Sequence, residues 1–147
     1  MRTLSRVLAL AATVACVLAW NPAWAQTDEA EKKAVAAATA WLALVDAGKN
    51  AESWDAAASY FKWTVPKDKW DARLVNARVP LGPVKSRTLA AKKFVKDLPD
   101  AIKGDYVVMV FNTSFDAMPK AVENVTTMLE KDGTWRICGY NIKPAKS

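Results

Sequence analysis

The sequence predicts an α+β domain in which three N-terminal helices pack on a curved four-stranded antiparallel sheet. Two observations carry this reading. Apolar residues recur at helical spacing as far as Gly82, and beyond Gly82-Pro83 the chain turns to β-branched and aromatic runs separated by turn residues. A third concerns Asp105 to Phe115. Val107, Met109, Phe111, Thr113 and Phe115 fall on one side of this strand, while Tyr106, Val108 and Val110 make the centre of the other side apolar too. Such a strand needs cover on both faces, or a sheet curved around a pocket.

The first 25 residues read as an export signal. Arg2 and Arg6 precede an apolar run from Val7 to Trp20, Pro22 breaks it, and Ala23 and Ala25 supply the small side chains that signal peptidase requires, which places cleavage after Ala25. A membrane span needs about 20 continuous apolar residues. This run is shorter and ends at Asn21-Pro22, so no stable membrane insertion is expected after cleavage. Cys16, with Ala15 before it, offers a lipoprotein alternative, although Thr13 stands where such signals prefer leucine. The expected location is the periplasm or the exterior of a bacterium. What remains, residues 26–147, is 122 residues, enough for one domain with a substantial core.

Asp28 with Glu31 opens helix one, which runs to about Ala47 and carries Ala34, Ala38, Trp41, Leu42 and Val45 on one face before Gly48. Asn50 caps a second helix bearing Trp54, Ala57, Ala58 and Phe61. Pro66 opens a third through Trp70, Leu74 and Ala77, closed by Pro80 and Gly82. Strands are expected over 84–95, 105–115, 121–129 and 134–142, the last two joined by a tight turn at Lys131-Asp132-Gly133.

Composition narrows the chemistry. Of 21 Lys plus Arg against 15 Asp plus Glu, Arg2 and Arg6 leave with the signal, so the mature chain is only mildly basic, with scattered lysines and no nucleic-acid motif. No nucleic-acid partner is expected. The chain has no histidine, which excludes Ser-His and Cys-His pairs and the usual zinc sites. No Gly-rich phosphate loop or dinucleotide fingerprint is present, so no cofactor or metal is expected. Cys138 is the one cysteine left after cleavage and reads as a small, inert, buried hydrophobe.

The remaining candidates are a few charged and aromatic residues. Arg87 opens the first strand, Asp105 and Tyr106 the second, Glu123 sits in the third, and Arg136 and Tyr140 lie on the fourth. Four residues apart on a strand, Arg136 and Tyr140 should share a face, where Glu123 would meet them and an anionic ligand could be held. The plainer alternative is a cross-strand ion pair on a solvated face. Five tryptophans belong to the mature chain: Trp41, Trp54, Trp63, Trp70 and Trp135. Trp54 is the one carried forward as a pocket wall for an apolar ligand, although Trp41 and Trp54 also suit core packing, and Trp63, between helices, is expected to be partly exposed.

Several pieces in order give a family resemblance. Trp41-Leu42-Ala43-Leu44-Val45-Asp46-Ala47-Gly48-Lys49, Ser53-Trp54-Asp55, Pro80-Leu81-Gly82, Gly104-Asp105-Tyr106-Val107-Val108, Thr113-Ser114-Phe115, Ala121-Val122-Glu123 and Lys131-Asp132-Gly133-Thr134-Trp135-Arg136 with Gly139-Tyr140 resemble the bacterial secreted family called domain of unknown function four-thousand-and-nineteen. Pro66 departs from a small helix-starting residue without touching function. The resemblance implies a cone-like fold similar to the nuclear transport factor two superfamily, and assigns no catalytic residue. The expected role is a non-catalytic domain binding a small apolar or anionic ligand, or an envelope partner, with Arg87, Glu123, Arg136, Tyr140 and Trp54 as candidate ligand contacts. The alternative is a small isomerase- or hydrolase-like enzyme using a carboxylate with Tyr and Arg. A homodimer through the outer sheet face is a third reading, and requires that face to be continuously apolar.

Overall fold

The computed structural model describes residues 22–146, so the charged and apolar parts of the expected export signal, with Cys16, lie outside the described residues. The order is α1 (Ala23–Asp46), α2 (Asn50–Asp55), α3 (Ser59–Thr64), α4 (Lys67–Arg78), a 3-10 turn (Val79–Leu81), then β1 (Val84–Lys96), β2 (Asp105–Phe115), β3 (Ala121–Leu129) and β4 (Trp135–Pro144). The class is α+β, with N-terminal helices and a four-stranded antiparallel sheet in the sequential order β1-β2-β3-β4. The strands fall within two residues of their expected ends. Helix α1 begins at Ala23, so the expected cut after Ala25 would remove the first three of its 24 residues.

α1 lies across one sheet face and touches all four strands, burying Ala34, Ala38, Trp41, Leu42 and Val45 as its spacing predicts. Its end is set by Gly48 at φ +70°. The Lys49 N–H donates to Leu44 and the Gly48 N–H to Val45, which satisfies two terminal carbonyls and turns the chain into α2. Against α1 the sheet presents Val107, Met109 and Phe111 of β2, Val125 of β3 and Ile137 of β4, all buried. The five residues expected on the inner side of β2 are all buried there.

Four helices form where three were expected, because the second is broken. Ala58 takes extended backbone (ψ 150°), and its N–H donates to the Ile137 carbonyl of β4 at 2.8 Å instead of continuing the helix. Glu130, at the end of β3, then accepts from the backbone N–H and hydroxyl of Ser59 and so caps α3 from a distant part of the chain. The apolar pattern through Trp54, Ala57, Ala58 and Phe61 survives the break, since both alanines and Phe61 are buried and Trp54 is half-buried. Trp63 is 81% exposed, the most exposed tryptophan among the described residues.

A second irregularity lies in β4. Thr126 pairs with Gly139 but Thr127 pairs with Ile137, so Cys138 is an extra residue in the ladder. Inward positions are Trp135 and Ile137 before the bulge, and Tyr140 and Ile142 after it, opposite Val125 and Glu123.

Leu42 is 1% exposed at the middle of the α1 and sheet contact. Leu42→Ala should therefore lower the unfolding free energy by about 2–5 kcal/mol. Urea denaturation should show this as a lower midpoint with an unchanged slope.

Candidate functional site

Glu123 sits on the inward side of β3, between Phe111 of β2 and Ile142 of β4, and is 0% exposed. A carboxylate in that position needs partners, and it has two. Arg87 of β1 donates from Nε to Oε1 at 3.0 Å and from Nη2 to Oε2 at 3.2 Å. The Tyr140 hydroxyl of β4 donates to Oε2 at 2.7 Å, which the bulge makes possible by turning Tyr140 inward.

Arg87 reaches further. Its Nη1 and Nη2 donate to Oδ2 and Oδ1 of Asp46, the last residue of α1, at 2.7 and 3.0 Å. Arg78, the last residue of α4, donates from Nη2 to Asp46 Oδ1 at 2.7 Å and from Nη1 to the Tyr140 hydroxyl at 3.3 Å. These bonds close a ring: Glu123, Arg87, Asp46, Arg78, Tyr140 and back to Glu123. Two guanidinium groups balance two carboxylates, and all four carboxylate oxygens accept a bond from within the ring. Arg78 also stacks on Phe115, with its guanidinium carbon 4.9 Å from the ring centre.

Aromatic side chains cover the ring on the helix side. Tyr140 meets Trp41 edge-on at 5.2 Å and Trp70 at 6.3 Å, and Phe61 meets Trp70 edge-on at 5.0 Å. Ser53, fully buried, ties the two indoles together. Its carbonyl accepts from Trp41 Nε1 at 2.8 Å and its hydroxyl oxygen accepts from Trp70 Nε1 at 2.9 Å.

Electrostatics follow from burial and partners. Burial works against the charge on Asp46, but hydrogen bonds from Arg87 and Arg78 overcome it and hold its carboxyl below the usual range. Burial likewise opposes the charge on Arg87 and Arg78, and the bonds to Asp46, with the nearby Glu123 charge at Arg87 and Tyr140 at Arg78, outweigh it and raise both. Tyr140 is pushed far above the ordinary phenol value, first by burial and then by the Glu123 charge, so its hydroxyl stays a donor.

Three of the five sequence candidates, Arg87, Glu123 and Tyr140, are therefore brought together. Arg136 is not. The shared face expected for Arg136 and Tyr140 fails because the bulge at Cys138 shifts the alternation by one, and Arg136 pairs instead with Asp132 at 2.9 Å and Glu130 at 3.5 Å. Trp54 also stands apart from the ring, donating from Nε1 to the Val65 carbonyl at 2.7 Å, with the Lys62 and Lys67 ammonium groups 5.8 and 5.4 Å from its ring centre. The sequence reading missed Asp46 and Arg78. Asp46 did carry a signal: it is acidic at the negative end of α1, whose last turn holds no basic residue, and a charge so placed needs a partner elsewhere.

Open space lies outside this ring. A pocket of about 340 Å³ borders Asp46 and Arg78 between α1 and α4, and a cleft of about 480 Å³ runs between α3, α4 and β4. A third, of about 670 Å³, lies at the start of α1 against Phe94, Leu129 and Trp135.

The family model described as Protein of unknown function (DUF4019) matches residues 37–140. This chain belongs to that family. All five ring residues, and Trp41, Ser53, Phe61 and Trp70 above them, lie within the span matched by DUF4019. No curated protein and no solved structure matches the chain.

Two predictions follow from the ring. Glu123→Leu leaves two buried guanidinium groups sharing the Asp46 carboxylate and should cost about 3–5 kcal/mol, while adding Arg87→Met should make the pair less costly than the sum of the singles by about 0.5–3 kcal/mol. A double-mutant cycle in urea measures this. For pH, the folded carboxyl of Asp46 lies below its unfolded value, so its contribution is present above about pH 4 and is lost as pH falls through the lower, folded value. Asp46→Asn should flatten that acid limb of the stability profile.

Cys138 is half-buried at the bulge, and burial pushes its thiol up to about 12. The native thiol should react with iodoacetamide at pH 8 roughly a thousand times more slowly than in urea. Mass spectrometry of the alkylated protein checks this.

Proposed function

We propose that this DUF4019 chain is an exported, non-catalytic accessory domain of a bacterial envelope, with a cone-like fold of the nuclear transport factor two kind whose interior serves structure and whose surface binds. One observation carries the reading: all four carboxylate oxygens of Glu123 and Asp46 are engaged by Arg87, Arg78 and Tyr140. A general base needs a free lone pair facing substrate, and an oxyanion site needs donors aimed at empty space. Here the carboxylates, the phenol and the other guanidinium donors face one another, with Trp41 and Trp70 packed against Tyr140, and the one ring donor without a partner among the described residues, Arg78 Nε, is itself buried. On this reading Arg87, Glu123 and Tyr140 act as an internal counter-ion set, and a small ligand has no place between them.

Export is supported by Arg2 and Arg6, the apolar run and the Ala23 and Ala25 pair. A dimer through the outer sheet face has less support. On that face Val108 and Val110 give way to Asn112 and Ser114 along β2, Val122 gives way to Asn124 and Thr126 along β3, and exposed Lys93 and Lys143 flank them.

The test is native mass spectrometry of the protein purified from periplasm, before and after mild denaturation. A chain beginning at Gln26 with its bare mass is expected. A small molecule released on denaturation would overturn the filled interior, and cytoplasmic retention of the full chain would overturn export.

A further inference from the structure

The two edges of the sheet are unequally protected. At the β1 edge, the Phe94 N–H is already taken by the Glu31 carboxylate of α1 at 2.9 Å, and Lys85, Lys92, Lys93 and Lys96 place charge along the strand. Charge and occupied amides discourage strand addition. The β4 edge is different. Ala58 occupies the Ile137 carbonyl, and beyond that point no backbone group outside the sheet bonds to Tyr140 or Ile142 among the described residues.

The direction of those groups follows from the ladder. Ala145 donates to Lys120, so residue 145 faces β3, and by antiparallel alternation 143, 141 and 139 face it too while 142 and 140 face away. Pro144, which has no N–H to offer, falls on the outward side. Tyr140 and Ile142 thus present two N–H and two carbonyl groups outward. They open onto the cleft of about 480 Å³, whose far wall is formed by Val65, Trp70, Leu74 and Ala77 with Arg73 among them.

We propose that this edge binds an extended peptide segment of another envelope protein, added as a fifth strand beside β4, with apolar residues toward α4 and an acidic residue opposite Arg73. An extended segment satisfies both the outward backbone groups and the apolar wall, which a compact ligand does not. The charge comes from α4 itself. Lys67, Lys69 and Arg78 each have a carboxylate partner, whereas Arg73 is exposed and forms no ion pair among the described residues. The proposal rests on the non-catalytic binding role argued above and specifies its partner.

The test uses the mature protein and a phage-displayed library of random dodecapeptides. Selection should enrich peptides in which every second residue is apolar and one position of that same set is acidic. A synthetic copy, N-methylated at one alternating set of amides, should bind at least tenfold more weakly, while methylation of the other set should be tolerated. That pattern is the signature of strand pairing and needs no change to the protein. Arg73→Glu, on an exposed helix surface, should weaken the selected peptide at least fivefold, and hydrogen exchange at Tyr140 and Ile142 should slow when the unmethylated peptide binds. No enrichment, indifference to N-methylation, or protection of Tyr140 and Ile142 by self-association without peptide would each overturn the proposal. Failure here with a bare, exported domain leaves the accessory role standing, whereas a resident small molecule in the interior overturns that role separately.

Discussion

The fold turns on one buried carboxylate. Glu123 is fully enclosed, and an isolated charge there would be too costly to keep. Arg87 neutralises it, but Arg87 is itself largely enclosed, with a side chain 16% exposed, and its remaining donors go to Asp46. Asp46 in turn engages Arg78, and Arg78 closes on Tyr140. Each group is tolerated because the next is in place. The consequence is positional, since the ring joins the last residues of α1 and α4 to β1, β3 and β4. Buried ion pairs give little net stability against their desolvation cost, but breaking one is expensive, so such a ring favours a single arrangement of helices on the sheet over its neighbours.

That arrangement depends on the bulge at Cys138. With regular pairing along β4, the alternation that turns Trp135 and Ile137 inward would carry Cys138 and Tyr140 outward with Arg136. Glu123 would then lose its hydroxyl donor, and Trp41 and Trp70 would lose the ring they pack against. The extra residue lets one strand serve two needs. Its first half buries Trp135 and Ile137 against Phe94 and α1, and its second half delivers Tyr140 to the polar ring.

These facts explain what could be read from the sequence. The strands were legible because alternation and turn residues are local, and Lys131-Asp132-Gly133 marks its turn with Gly133 at φ +80°. The α1 face was legible for the same reason. The break between α2 and α3 was not, because it is made by Ile137 and Glu130, both far along the chain. At the site, residue type alone brought forward Arg87, Glu123 and Tyr140. Arg136 misled because a bulge is invisible to counting by twos. Arg78 was hidden by good manners: a basic residue in the last turn of a helix suits the helix dipole and raises no question.

The same packing that closes the interior opens the edge. Ser53 holds the indoles of Trp41 and Trp70, so α1, α2 and α4 are tied at one point. Phe61 and Tyr140 stand against Trp70. These large rings lie between α4 and the end of β4, beside the cleft that borders Tyr140 and Ile142. Interior and cleft therefore share residues: Phe61, Trp70 and Tyr140 fill the centre of the domain and also line the cleft, where Arg73 stands with no carboxylate partner among the described residues.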